Sequence, residues 1–124
     1  MEKLTLLICF TLLTTNIAYA VEITPKNINF GEIQQDEVVY KKVLTIKNNE
    51  DNTIILKKVR SSCNCITIVY DNTIHTINPN ESLKLTLQLN TTTLKPGKFR
   101  KYLFLKLEQT KNSFITIEIK GEIL

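Results

Sequence analysis

From Val21 onward apolar and polar side chains alternate with period two, the repeat of a strand that buries one face and wets the other. Leu83, Leu85, Leu87 and Leu89 are interleaved with Lys84, Thr86, Gln88 and Asn90. The same alternation runs through Val38 to Asn48 around Leu44 and Ile46, and through Ile115, Ile117 and Ile119 between Thr116, Glu118 and Lys120. Leu103, Leu105 and Leu107 mark a further strand, and apolar runs at Ile28 to Phe30, Ile54 to Val59, Ile66 to Tyr70 and Thr73 to Ile77 mark shorter ones. Turn formers separate them: Phe30-Gly31-Glu32, Asn48 to Asn52, Tyr70-Asp71-Asn72, Asn78-Pro79-Asn80 and Lys95-Pro96-Gly97. Gly31, Pro79, Asn80, Pro96 and Gly97 are thus expected at turns. This spacing predicts an all-β, antiparallel β-sandwich of about seven to eight strands, in which each strand packs one face against the opposing sheet.

The last hairpin has a parity problem. Burying Leu103 and Leu105 beside Ile117 and Ile119 requires an odd-numbered loop around Thr110, because a one-residue slip would turn every side chain to the other face. A loop of two or four residues would turn Tyr102 and Phe104 inward; with the odd loop they point outward. They read as cover for an edge strand, with the start of a binding surface as the alternative.

The first twenty residues follow a different logic. Lys3 precedes an apolar run from Leu4 to Leu13, a polar patch, and Ala18 and Ala20 at the spacing signal peptidase requires. Ten residues cover about 15 Å as a helix, against about 30 Å of hydrocarbon, so the run is too short to span a bilayer. Residues 1–20 are therefore expected to be a cleaved signal peptide and residues 21–124 a single exported domain, periplasmic or extracellular, with no membrane span after cleavage. Beyond Ala20 the chain contains neither Ala nor Met, while Ile, Val, Thr, Tyr and Phe abound, a bias against helix.

The 124-residue chain carries 16 Lys+Arg and 12 Asp+Glu, and Glu2 cancels Lys3, so cleavage leaves the net charge at +4. The densest basic stretches are Lys57-Lys58-Val59-Arg60 and Lys95 to Lys101. They read as solvated strand faces. As a surface patch, Lys98, Arg100, Tyr102 and Phe104 could meet an acidic protein or an anionic envelope polymer. Neither stretch alone forms the one-faced basic stripe with stacking aromatics that nucleic-acid binding requires, and no nucleic acid is expected as a partner.

Cys63 and Cys65 are the cysteines of the expected mature chain, in a compartment that oxidises thiols. Three arrangements fit: a disulfide across one residue, two thiols packed as small apolar groups, or a soft-metal site for Cu(I) with His75 as third ligand. A disulfide-exchanging redox site is a further use of the same pair. Catalysis has less to work with, since a Ser or Cys nucleophile needs a base and a group that orients it. His75 is the one imidazole in the chain. Asp71, four residues before it, would lie about 13 Å away along a strand unless the turn at Asn72 folds it back. No phosphate loop, His-Glu-x-x-His or zinc-type quartet is present. Ser61 and Ser62 read as turn hydroxyls.

The order Phe30-Gly31, Ile46-Lys47-Asn48-Asn49, Ser61-Ser62-Cys63-Asn64-Cys65, Asn78-Pro79-Asn80-Glu81, Pro96-Gly97-Lys98-Phe99 and Lys120-Gly121-Glu122 resembles the secreted bacterial domain-of-unknown-function family numbered 1573. That family is related to the immunoglobulin-like domains of the ASH and major-sperm-protein group, and the resemblance covers about residues 24–123. It implies an immunoglobulin-like sandwich and no established activity. Asn64 and Asn80 stand where the family usually has Gly, so both are expected in the left-handed backbone region. The expectation is a non-catalytic, cofactor-free binding or structural module that engages a protein or cell-envelope partner through sheet edges or end loops. A copper-binding or redox thiol site at Cys63 and Cys65 is the alternative.

Overall fold

The computed structural model of the chain describes residues 20–35, 39–70 and 75–124. Nine strands run in order through them: β1 (Val21–Thr24), β2 (Ile28–Ile33), β3 (Val39–Asn48), β4 (Ile54–Ser61), β5 (Ile66–Val69), β6 (His75–Ile77), β7 (Ser82–Asn90), β8 (Gly97–Glu108) and β9 (Phe114–Ile123). They form two sheets, ordered β1-β3-β7-β5 and β2-β9-β8-β4-β6, which face each other as a sandwich. Of the expected signal peptide, residues 1–20, all but Ala20 lie outside the described residues. Among the described residues no helix is long and apolar enough to cross a membrane.

The alternating segments bury the faces their pattern predicts. Leu85, Leu87 and Leu89 of β7 and Leu44 and Ile46 of β3 are wholly buried, opposite Leu103, Leu105 and Leu107 of β8 and Ile117 and Ile119 of β9. The parity of the last hairpin resolves as an odd loop: Leu103 pairs with Ile117 and Leu105 with Ile115, and β8 and β9 are joined across residues 109–113. Tyr102 and Phe104 accordingly point outward.

Several expectations need correction. Among the described residues the strand count is nine, because Val21–Thr24, too short to show periodicity, pairs with β3 from Val21↔Asn48 to Thr24↔Thr45. The sandwich is not wholly antiparallel, since β2 runs parallel to β9. Gly31 is not a turn between strands: β2 continues through it as a bulge, with φ 67° and a register shift between Asn29 and Glu32. Gly97 opens β8, at φ 122°, opposite Ile123. Asn80 does adopt the left-handed conformation, at φ 65°. Asn64 does not. It follows Cys63 in a tight turn closed by the Ile66 N–H donating to the Cys63 carbonyl at 3.2 Å, where ordinary negative φ suffices.

Asn48, expected in a turn, is the last residue of β3 and fully buried. Its Nδ2 donates to the carbonyls of Asn52 and Ile77, each at 2.8 Å, and its Oδ1 accepts the Glu50 N–H at 2.8 Å. Ile77 belongs to the other sheet, so this amide ties the two layers together. A buried amide with both donor hydrogens used and its oxygen occupied is fully compensated for leaving water.

Candidate functional site

The cysteine segment carries the chain from one sheet to the other. β4 ends at Ser61 in the five-stranded sheet and β5 begins at Ile66 in the four-stranded sheet. On the departing side the Ser62 N–H donates to the Tyr102 carbonyl and the Tyr102 N–H to Ser62 Oγ, both at 2.9 Å, which extends the β4–β8 ladder past the strand end. On the arriving side the Asn90 N–H donates to the Cys65 carbonyl at 2.8 Å. Ser61 Oγ donates to the Cys63 carbonyl at 2.8 Å as a turn hydroxyl, whereas the Ser62 hydroxyl is engaged with β8. Within the turn, Cys63 and Cys65 are joined to each other, S–S 2.06 Å. Cys65 is buried and Cys63 half-buried. The pair thus clamps the crossover immediately before β5.

His75 is not brought to this pair. It sits on β6 opposite Leu56, five positions along β4 from Ser61, which is roughly 15 Å from the cysteine turn. Its ring meets Tyr70 edge-on, 4.5 Å between centroids. The three-ligand copper arrangement of Cys63, Cys65 and His75 is therefore not assembled, and among the described residues no group of three His, Cys, Asp or Glu side chains converges. Asp71 lies outside the described residues.

Among the described residues four edges bound the two sheets, and three are blunted. β1 carries Glu22 and runs into Pro25, β2 carries the Gly31 bulge and Glu32, and β6 is three residues long. Charges, bulges and shortness are the usual means of preventing edge-to-edge pairing. β5, Ile66-Thr67-Ile68-Val69, has none of these but shortness: no charge, no Gly, no Pro. The bond from the Asn90 N–H to the Cys65 carbonyl sets the alternation, so Thr67 and Val69 bond toward β7 while the N–H and C=O of Ile68 point to the open side. Val69 and Tyr70, at the end of this edge, are 44% and 40% exposed.

The remaining sequence-expected residues lie on the outer face of the five-stranded sheet. Lys98, Arg100, Tyr102 and Phe104 share one face of β8 and are all exposed. β8 is the third of five strands, so Tyr102 and Phe104 cannot be cover for an edge. Their rings lie side by side, 6.5 Å between centroids and 24° between planes. Arg60 of β4 is directly opposite Phe104, which brings the two basic stretches together on one face. Phe114, which carries no alternation signal because it opens its strand, joins them and is 74% exposed. Farther along, Lys98, Arg100 and Lys120 line a recess of about 550 Å³ together with Glu32 and Glu122, a mixed-charge surface. Among the described residues two ion pairs cross the face, Lys57–Glu108 at 2.8 Å and Arg100–Glu118 at 3.7 Å. The Lys57 ammonium, hydrogen-bonded to Glu108, holds that carboxyl below its ordinary pKa and is itself raised by the same bond.

No functionally curated protein matches the chain. Among solved structures it is similar to a protein of unknown function from Porphyromonas gingivalis, at 18% identity and TM-score 0.70, covering 88% of this chain and half of that one. It is similar to the ASH/PapD-like domain 7 of human CEP192, at 9% identity and TM-score 0.66, covering 90% and 95% of the two chains. It is also similar to WR4, a Caenorhabditis elegans member of the MSP family, at 13% identity and TM-score 0.56, covering 86% and 100%. At these identities the likeness is one of fold, an immunoglobulin-like sandwich of the ASH, PapD and MSP kind. With a family profile that matches residues 21–123, the chain belongs to the family described as protein of unknown function, DUF1573.

Proposed function

We propose that this chain is an exported, non-catalytic and cofactor-free module that holds an extended segment of a protein or cell-envelope partner along the open edge of β5. The observation that carries the reading is the contrast among edges: three are blunted, while the uncharged Ile66–Val69 edge directs the Ile68 N–H and C=O outward. Strand addition draws affinity from such main-chain groups and specificity from neighbouring side chains, here Thr67, Val69 and Tyr70. The clamped Cys63–Cys65 turn fixes the start of this edge, so less order has to be imposed when a partner arrives. With the sulfurs joined and His75 remote, the cysteines serve in this reading as a staple and not as a metal site.

The experiment places a photo-crosslinking residue at Tyr70, at the exposed end of this edge, in the full chain expressed in its own cell. The expected result is a discrete crosslinked partner in the exported fraction, lost in a Thr67→Lys, Val69→Lys variant whose melting temperature is unchanged, with a mature mass that begins at Val21. A partner captured equally by that variant overturns the edge, and a chain retained inside the cell overturns the exported role.

A further inference from the structure

We infer that the outer face of the five-stranded sheet is a second binding site, a cationic groove with aromatic walls that takes an acid-rich, extended segment of a protein partner bearing an aromatic or branched apolar side chain. This goes beyond the β5 edge, which belongs to the other sheet.

Pairing register builds the groove. Arg60 stands opposite Phe104 and Phe104 opposite Thr116; one row along, Lys58 stands opposite Lys106 and Lys106 opposite Phe114. Phe104 and Phe114 are therefore diagonal neighbours across β8 and β9, within reach of a common side chain. Between them opens a groove of about 210 Å³ lined by Lys58, Arg60, Phe104, Leu105, Lys106 and Phe114. It lies in the middle of the sheet, where exposed aromatics protect no edge.

The charges are arranged against the folded chain's own interest. Lys58 faces Lys106 and Arg100 faces Lys120 directly across the ladder, placements in which like charges repel. Of the neighbouring carboxylates, Glu118 pairs with Arg100 and Glu108 hydrogen-bonds Lys57 while also feeling the Lys106 charge. Among the described residues no carboxylate lies within ion-pair distance of Lys58, Arg60 or Lys106. Lys106 instead rests over the Phe114 ring, its Nζ 5.8 Å from the centroid. An anionic occupant supplies the missing counter-charge.

The occupant's class follows from the lining. Lys58 and Arg60 are two strand positions apart, about 6.6 Å, the same repeat at which alternate carboxylates project from an extended polypeptide. Aromatic side chains and Arg are the groups enriched at the centres of protein interfaces. A sugar polymer would call for hydroxyl and amide partners, and none of the six residues that line the groove carries such a side chain.

The test uses a peptide of alternating Glu and Leu with one central Phe, titrated into the purified chain and followed by amide NMR shifts and calorimetry. Its Lys-for-Glu counterpart, polygalacturonate and a single-stranded oligonucleotide serve as competitors. The expected result is salt-sensitive binding of the acidic peptide, with shifts confined to β4, β8 and the start of β9. Arg60→Glu and Phe114→Ala, both at exposed positions, should each weaken binding about tenfold or more with unchanged melting temperature. Thr67→Lys should leave it intact, which separates this site from the β5 edge. Equal affinity for the Lys peptide, or wild-type affinity in both face variants, overturns the proposal. Tighter binding of polygalacturonate or of the oligonucleotide, lost in Arg60→Glu, also overturns it and assigns the face to that polymer.

Discussion

Replacing Asn48 tests whether one buried amide holds the two sheets in register. In Asn48→Ala three hydrogen bonds of 2.8 Å disappear. Each contributes about 0.5–1.5 kcal/mol net, and a buried carbonyl left without a donor costs about 1–3 kcal/mol. The Ile77 carbonyl is stranded inside the sandwich, whereas that of Asn52 is only part-buried and regains water. The expected loss is about 2–4 kcal/mol. Asn48→Asp keeps the shape but turns oxygen toward two carbonyl oxygens, so its loss at neutral pH should be larger, about 3–5 kcal/mol. Acidification should recover part of that, because burial without donors raises the pKa of the introduced carboxyl and its protonated form can donate once. The assay is urea unfolding. With a slope of about 1–2 kcal/mol/M, the midpoint should fall by about 2 M in Asn48→Ala with the slope unchanged. Asn64→Ala, at an exposed turn, is the control, expected within about 0.5 kcal/mol of wild type. A midpoint for Asn48→Asp within about 0.3 M of wild type would refute the cross-sheet account.

Other outcomes follow from single contacts. A Cβ on Gly121 would lie 2.7 Å from Cζ of Phe99 and 3.1 Å from the Gly31 carbonyl oxygen, so Gly121→Ala should lower stability by about 1–3 kcal/mol, and Phe99→Leu in the same chain should recover part of it in a thermal melt. Glu108 has a depressed pKa in the fold, so its contribution is present above the ordinary carboxylate pKa and lost as pH falls through the folded value. The melting-temperature gap between wild type and Glu108→Gln should therefore be small at neutral pH, shrink in high salt and close once the pH has fallen below the ordinary carboxylate range and through the folded value; a gap that persists in acid would show the pair is not its cause. Cys63 and Cys65 should take up alkylating reagent in the unfolded chain after reduction and not before, read by intact mass; labelling without reductant would contradict the joined sulfurs.

Much of the architecture is legible in the residue pattern, and the misses share a cause. The faces of β3, β7, β8 and β9 could be read because side-chain direction in a strand alternates locally, whatever the strand pairs with. Val21–Thr24 was beyond that reading because four residues hold too few repeats. Gly31 and Asn48 were read as turn formers because composition reports what a residue tolerates, whereas a bulge against β9 and an amide bridging two sheets depend on the neighbours that arrive. The candidate patch on β8 was visible, but its partners were not: Arg60 and Phe114 come from strands that pairing places on either side of it.

Taken alone, the sequence determined the all-β class and the inward and outward faces of the strongly alternating strands, while the parity of the last hairpin waited for the β8–β9 pairing. Class and faces are consequences of the period-two geometry of one strand and of burying its apolar side. Strand order, the parallel β2–β9 pair, the separation of His75 from the cysteines and the joining of Lys58, Arg60, Lys106 and Phe114 around one groove were decided only in the tertiary structure. They depend on which distant backbones bond to one another, and a ladder hydrogen bond has the same chemistry whichever residues it joins, so the choice is made by the collective packing of the two faces.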